Sequence, residues 1–370
     1  MVETNIIEHT RSEPVCSAAQ DADEEDKNKP IPYFFLWRIL QLILLVIGVV
    51  LVAALLFLPN LGIALFWNLI IPVAPAIVVI IPGIWRNICP MASVSLLPRH
   101  LGFSKRQIIS ERTHGYFTLI GFCALLIIVC LRHLGLNISG PSTAFMLVGA
   151  AALAFLIGCK YEWKSAWCSG LCPIHPVEKL YGTAAAVTVP NAHCTNCEKC
   201  FTPCSDSTKA MTPLVTNNKK LENMLGLSMV GGFFGYIWGW YHVPDYTFPI
   251  QLSNVIYAFS LPLGGFMFSL GFFLLLYTKA SKQRQAFLIR FFAMAAVSCY
   301  YWYRIPMLFG WGLFPKQSML VDLTDIMPHW FPIVSQIMTT IFFIWFMILR
   351  KTDKRSWSIR PAYSTLALAK

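Results

Sequence analysis

Four cysteines within eleven residues form the densest set of potential ligands in this chain of 370 residues. They are Cys194, Cys197, Cys200 and Cys204, separated by two, two and three residues. Thiolates spaced in this way wrap the corners of an iron-sulfur cubane, and the fourth often reaches to another cluster. Zinc instead prefers four tetrahedral ligands from two separate cysteine pairs. The run therefore predicts a [4Fe-4S] cluster, although Ser205 stands where a proline normally follows the fourth cysteine.

A second pattern is a repeated Cys-Pro pair. Cys168 and Cys172 are four positions apart, so both thiols could share one helical face, and a proline follows Cys172. Cys89 is also followed by proline, but Trp85 stands where the other copy has Cys168. In each copy, valine and leucine follow at the fifth and eighth positions (Val94 and Leu97, Val177 and Leu180). This repeated pattern predicts a duplicated two-helix hairpin, in which each copy ends in a Cys-Pro loop beside a shared cofactor.

Long apolar segments must position these residues. Hydrophobic residues make up 56% of the chain and charged residues 13%, which excludes a soluble enzyme and predicts an all-α polytopic membrane protein. The net charge of +11 comes from bases in short loops, so nucleic acid is not the expected partner. Eight helical spans are predicted, at 33–58, 61–84, 115–134, 142–159, 223–242, 255–278, 286–303 and 331–349.

The basic residues predict the orientation of the spans. Eight crossings place both termini on one face, together with nearly all bases. Of 29 Lys and Arg residues, only Arg132, Arg304 and Lys316 fall in loops on the opposite side. The positive-inside rule predicts that the face with most of the Lys and Arg residues is cytoplasmic. The expected location is a bacterial inner membrane. The cysteine-rich loops would then lie in a reducing compartment, where metal binding is a better explanation than disulfides.

Four regions follow from this layout. Residues 1–29 hold eight acids and few large apolar side chains, so they predict a disordered acidic tail. Residues 30–222 carry the duplicated hairpins and the cysteine run, 223–349 carry four further spans, and 350–370 form a basic cytoplasmic tail. Cys123, Cys130 and Cys299 lie inside spans, where a free cysteine packs as a small hydrophobe.

On these cysteine motifs, residues 33–222 resemble the ferredoxin-type membrane proteins related to NapH, the membrane part of NosR, and MauN. The resemblance implies electron transfer between quinol and redox partners through cytoplasmic [4Fe-4S] clusters, usually two. Because only one complete cysteine run is present, a second cluster would draw on the remaining candidates. These are Cys89, Cys159, Cys168, Cys172 and Cys204, with His175 or His193 as further options.

Three histidines fall at span ends on the opposite face: His133, His242 and His329. They could ligate haem b or accept a proton from quinol. Alternatively, they lie at headgroup level among interfacial aromatic residues. The absence of a Cys-x-x-Cys-His sequence excludes covalent c-type haem.

Two functions remain open from sequence. One is a quinol-linked electron-transfer subunit of a larger redox complex. The other is a maturation factor that uses its cluster to assemble another metalloenzyme. A transporter is disfavoured because no span has an unpaired central acid or base.

Overall fold

The computed structural model describes residues 33–162, 164–194, 220–314, 317–350 and 357–359. The predicted acidic tail at 1–29, Lys316 and three cysteines of the run (Cys197, Cys200 and Cys204) lie outside the described residues. So does most of the predicted basic tail.

Helices account for most of the described chain. They are α1 Phe34–Phe57, α2 Pro59–Ile63, α3 Ile71–Ile80, α4 Pro82–Ile88, α5 Pro90–His100, α6 Glu111–Leu131, α7 Gly140–Lys160, α8 His175–Tyr181, α9 Lys220–Tyr241, α10 Leu252–Thr278, α11 Lys282–Leu308 and α12 Phe331–Ile344. Within the described ranges there are also three π-helical stretches, at Ala64–Ile70, Lys164–Leu171 and Trp345–Leu349, and two 3-10 turns, at Arg132–Leu134 and Gly182–Ala184.

The prediction of an all-α polytopic membrane protein is confirmed. Seven helices within the described ranges are long and apolar enough to cross a membrane. They match the predicted spans except the fifth. That span corresponds to α9, which has 22 residues and is long enough to cross, but it is not among the seven.

The glycines of α9 explain its lower hydropathy. Gly231, Gly235 and Gly239 are spaced four apart and face α10. An added Cβ on Gly235 would lie 2.0 Å from the carbonyl oxygen of Gly265, and one on Gly239 would lie 2.4 Å from that of Leu261. The two helices are therefore antiparallel with backbones in contact, a packing that membrane helices achieve with small residues. Ten of the 22 residues of α9 are buried, so much of this helix needs no lipid-facing apolar surface.

Prolines interrupt the second predicted span, as expected from Pro72, Pro75 and Pro82. Residues Ala64–Ile70 are π-helical, so the carbonyl of Trp67 would accept a hydrogen bond from the N–H five residues later, at position 72. Pro72 has no N–H, and this carbonyl therefore lacks a donor within the helix. The guanidinium of Arg304 donates to this carbonyl at 2.6 Å and is itself only 2% exposed. Arg304 thus satisfies a backbone group that lipid could not.

Two short parallel strands join the C-terminal part of the chain to the segment before the cysteine run. Strand β1 (Val189–Pro190) pairs with β2 (Ser358–Ile359). Next to β2, the buried Trp357 donates from Nε1 to the carbonyl of Gly182 at 2.8 Å. The ammonium of Lys179 lies 4.1 Å from the centre of the Trp357 ring. These contacts fix residues 182–191, through which the chain leads to Cys194.

Both Cys-Pro segments pack against the long apolar helices. Gly121 is ten residues into α6, which is about 15 Å along the helix axis. A Cβ added to Gly121 would lie 2.8 Å from the carbonyl oxygen of Leu171. Pro90 lies against Gly48, near the middle of α1. Helix α5 follows Cys89, and helix α8 follows Cys172 and its proline.

Candidate functional site

Cysteines from three separate parts of the sequence pack against one apolar cluster. Cys168 is a buried member of this cluster, together with Trp167, Leu96 and Ile157. Three further cysteine residues are partly buried and pack against it: Cys89, Cys172 and Cys194. We name this region the cysteine site. The duplicated Cys-Pro pairs therefore meet, and the first cysteine of the run joins them.

Local backbone geometry explains the position of Cys172. The π-helical stretch Lys164–Leu171 ends with the N–H of Cys172 donating to the carbonyl of Trp167 at 2.9 Å, one residue further back than an α-helical bond. In the other copy, Cys89 ends α4 in an extended conformation and Pro90 begins α5. Proline suits a first helical position because its missing N–H would have no partner there.

The thiols of Cys89 and Cys172 interact electrostatically. Burial raises the pKa of Cys172 to about 12, with further raising contributions from Cys89 and Glu178, while Arg86 lowers it. Burial also raises the pKa of Cys89. As free thiols both stay protonated at pH 7, so the energetic cost of two adjacent buried thiolates would have to be met by a bound cation. Soft thiolate donors in an apolar surrounding fit an iron-sulfur centre or another thiophilic metal.

The described residues alone do not complete a metal site. Within the described ranges, no group of three or more His, Cys, Asp or Glu side chains is arranged to hold a metal ion. Cys159 lies at the end of α7 and is not part of the apolar cluster. The remaining thiols of the run lie outside the described residues, so the predicted four-cysteine site stays a prediction.

Arg86 connects the two Cys-Pro segments. Its guanidinium donates to the carbonyl of Cys168 at 3.1 Å and lies 3.4 Å from a carboxylate oxygen of Glu178. It also lies 3.4 Å from Nδ1 of His175. The backbone carbonyl of Arg86 is 2.9 Å from Nε2 of His193, one residue before the cysteine run. One arginine thus contacts both halves of the repeat and the segment that leads to Cys194.

The two histidines proposed as further ligands have partners in this network. Burial, followed by the nearby cations Arg86 and Lys179, holds the pKa of His175 well below its ordinary value, so it stays neutral at pH 7. His193 contacts the amide of Gln41 through Nδ1 at 3.5 Å, in addition to Arg86. Both histidines therefore help to position the segments.

Sequence reasoning missed Arg86 and Glu178 as members of the site. A usable signal was present, because each charge lies close to a Cys-Pro pair within an apolar stretch. Arg86 precedes Cys89 by three residues, and Glu178 follows Cys172 by six.

The three histidines of the opposite end do not come together as ligands. His133 uses both ring nitrogens, with Asp245 Oδ1 at 2.7 Å and the carbonyl of Trp240 at 3.1 Å. His242 contacts the carbonyl of Trp238 at 2.7 Å. His329 packs edge-on against Trp311. Aromatic neighbours are those expected for histidines at headgroup level, although His133 is buried.

A buried ionic network surrounds His133. Asp245 accepts hydrogen bonds from Asn137 at 2.6 Å and Ser318 at 2.8 Å, and Arg132 lies 4.0 Å from the same carboxylate. Burial alone would raise the pKa of Asp245, but Arg132 and the bonds from His133 and Ser318 hold it well below its ordinary value. Arg132, predicted as an outer loop base, is in fact 3% exposed. This network joins α6 to the loops after α9 and α11.

Comparisons with protein-family models, with curated proteins and with solved structures find no match to this chain.

Proposed function

We propose that this chain is a membrane electron-transfer protein that binds one or two [4Fe-4S] clusters at the cysteine site. It would carry single electrons between membrane quinone and a redox partner. The observation that carries the proposal is the meeting of Cys89, Cys172 and Cys194 on one apolar cluster. Packing alone does not require thiols from both halves of a repeat and from a ligand-spaced run. When bound, a cluster supplies one-electron chemistry at a potential set by charge, hydrogen bonds and burial.

The chain's own residues have separable roles in this proposal. Cys194 and the three cysteines after it would hold one cluster (Cys197, Cys200 and Cys204). Cys89 and Cys172, with Cys168, are the donors for a second. Trp167 and the aliphatic cluster keep water from the thiols, while Arg86 and His193 hold the three segments together.

The proposal places the cysteine site on the cytoplasmic side of a bacterial inner membrane, with both termini on that side. The distribution of bases supports this orientation, and a crossing by α9 restores the even number of spans. A membrane-impermeant amine reagent applied to intact cells should leave Lys209, Lys219 and Lys220 unmodified. A reporter fused after Lys370 should behave as cytoplasmic. Labelling of those lysines from outside would overturn the orientation.

Metal content tests the cofactor. Anaerobically purified protein should contain iron and acid-labile sulfide in equal amounts, with at least four of each per chain. Cys197→Ser should abolish the reduced-cluster EPR signal because it removes a soft thiolate ligand. Cys123→Ser is the matched control, since this cysteine lies on an exposed face of α6 and should leave iron content unchanged. Zinc without sulfide, or a full signal in Cys197→Ser, would refute the assignment.

Quinol reactivity separates electron transfer from the maturation role. Adding a reduced quinol analogue to the oxidised protein should reduce the cluster, as followed by bleaching of its visible absorbance. A cluster that is present but does not exchange electrons with quinol or quinone would favour a maturation factor.

A further inference from the structure

The loop between α5 and α6 (residues 101–110) is fixed to the C-terminal end of α7. The N–H of Lys105 donates to the carbonyl of Cys159 at 2.8 Å. The N–H of Gln107 donates to the carbonyl of Lys160 at 3.1 Å. The last carbonyls of a helix have no partner within that helix. The loop therefore caps α7 and holds its own side chains at the end of a helix long and apolar enough to cross the membrane.

Apolar side chains of this loop face away from the protein. Those of Leu101, Phe103 and Ile108 are each more than half exposed. The next residue, Ile109, is buried in the apolar cluster of the cysteine site and anchors the loop there. The ring centre of Phe103 lies 6.2 Å from that of Phe155, which is five residues and so about 7.5 Å before the end of α7. Phe103 therefore extends from the loop toward the hydrocarbon.

Four exposed bases belong to this loop and to the helix ends beside it: Lys105, Arg106, Arg112 and Lys160. The hydrogen bonds to the end of α7 place Lys105 and Arg106 next to Lys160. Arg112 lies in the first turn of α6, with its guanidinium 5.9 Å from the centre of the exposed Tyr116 ring. Among the residues that the structure describes, none of the four bases forms an ion pair.

The protein does not balance this positive charge. Glu111 is the only acid in residues 101–112, and the carboxylate of Glu162 is already 2.5 Å from the guanidinium of Arg99. Like charges held close together repel each other, so a bound anion would be stabilising here. The exposed apolar side chains of the same loop favour an anion that also carries hydrocarbon.

We propose that the α5–α6 loop, together with Arg112 and Lys160, is a binding site for an anionic phospholipid. The bases contact the phosphate of the headgroup, while the apolar side chains of the loop pack against the acyl chains. Bases beside a membrane span attract anionic lipids, and their long stems let the charge reach the headgroup from the edge of the hydrocarbon. The site uses neither a thiol nor a cofactor, so a failure of the proposed function would leave it unaffected.

Lipid titration of the full chain in a neutral detergent tests this site. Native mass spectrometry measures the apparent dissociation constants of phosphatidylglycerol and phosphatidylcholine, and the wild type should bind phosphatidylglycerol more tightly. The triple variant Lys105→Gln, Arg106→Gln, Lys160→Gln should weaken phosphatidylglycerol binding roughly a hundredfold, about fivefold for each charge. Phosphatidylcholine binding should stay unchanged. If the triple variant fails to fold, Lys160→Gln alone, which leaves the loop intact, should weaken phosphatidylglycerol binding about fivefold.

The matched control removes the same charge from the connection between α10 and α11, which the sequence predicts on the same face. The variant Lys279→Gln, Lys282→Gln, Arg284→Gln removes three exposed bases there. It should change phosphatidylglycerol binding by less than about fivefold, the effect of one charge. Equal losses in the two triple variants would overturn the proposal, because they would show a response to total charge.

Two further outcomes would overturn the lipid assignment. Inorganic phosphate at the concentration of the lipid should not displace phosphatidylglycerol, because it has no acyl chains. Displacement would show a site for free anions. Equal affinity of the wild type for phosphatidylglycerol and phosphatidylcholine would show that the bases do not select a lipid headgroup, and would favour an acidic soluble protein as the partner of this face.

Discussion

Two adjacent glycines of α10 provide a sharp test of how α9 packs. An added Cβ on Gly265 would lie 2.2 Å from the carbonyl oxygen of Gly235, whereas one on Gly264 would have nothing within 4 Å. Carbon and carbonyl oxygen normally approach no closer than about 3.3 Å. Gly265→Ala must therefore push α9 and α10 apart by roughly 1 Å, whereas Gly264→Ala requires no movement.

Comparing Gly265→Ala with Gly264→Ala isolates the energetic cost of overpacking between α9 and α10. Replacing glycine by alanine in a helix gains about 1 kcal/mol in propensity, and this gain is common to both variants. Overpacking at Gly265 costs about 1–3 kcal/mol, so the two variants should differ by this amount in free energy of unfolding, with Gly265→Ala the less stable. The close contact is between two backbones, which cannot rotate away as a side chain can.

Thermal unfolding in detergent measures the difference. The fraction of protein that remains monodisperse on size exclusion after heating gives an apparent melting temperature for each variant. We expect Gly264→Ala to melt at or above the wild-type temperature and Gly265→Ala to melt clearly below Gly264→Ala. Equal melting temperatures would refute the backbone contact of α9 with α10, and with it the reason given for the low hydropathy of α9.

The remaining predictions concern the network at the opposite end and the C-terminal strand. Asp245→Asn leaves the buried Arg132 without its carboxylate and should cost about 3–5 kcal/mol in unfolding free energy. Because the pKa of Asp245 is lowered, its stabilisation is full above about pH 4 and is lost only as the pH falls through the lowered pKa. His133 contacts the same carboxylate, and burial lowers its pKa, so this imidazole is neutral above about pH 7. The deficit of Asp245→Asn should therefore be constant from about pH 7 to 8, and a deficit that varies across this window would contradict the ion pair. Trp357→Ala removes the bond to Gly182 and the ring above Lys179, so a protease should cleave residues 182–191 faster than in the wild type. Ile359→Ala, at a side chain that is 53% exposed, is the control, and equal cleavage of the two variants would show that Trp357 does not hold the segment.

The predicted spans agree with the structure because each depends on local composition. A run of about 20 apolar residues must form a helix in lipid whatever its neighbours are. The boundaries differ where polar residues extend a helix beyond its apolar part. The seventh span, predicted at 286–303, is the middle of α11, which runs from Lys282 to Leu308.

The buried arginines show where local reasoning failed. The sequence predicts Arg132 and Arg304 as outer loop bases because they adjoin the ends of apolar runs. Their burial depends on partners far along the chain: Asp245 for Arg132, and for Arg304 the carbonyl of Trp67, which is 237 positions away. No local pattern reports such a partner.

The sequence by itself determined that this is a helical membrane protein with a ligand-spaced cysteine run and a repeated Cys-Pro pair. Those conclusions need only composition and spacing, since lipid dictates helices and metal chemistry dictates intervals between ligands. Only the tertiary structure decided that both Cys-Pro segments pack against the long apolar helices and that Cys89, Cys172 and Cys194 share one apolar cluster. The bond from Arg86 to the carbonyl of Cys168 spans 82 positions. Such contacts depend on how helices pack, because buried polar groups must find whichever partners the folded chain brings to them.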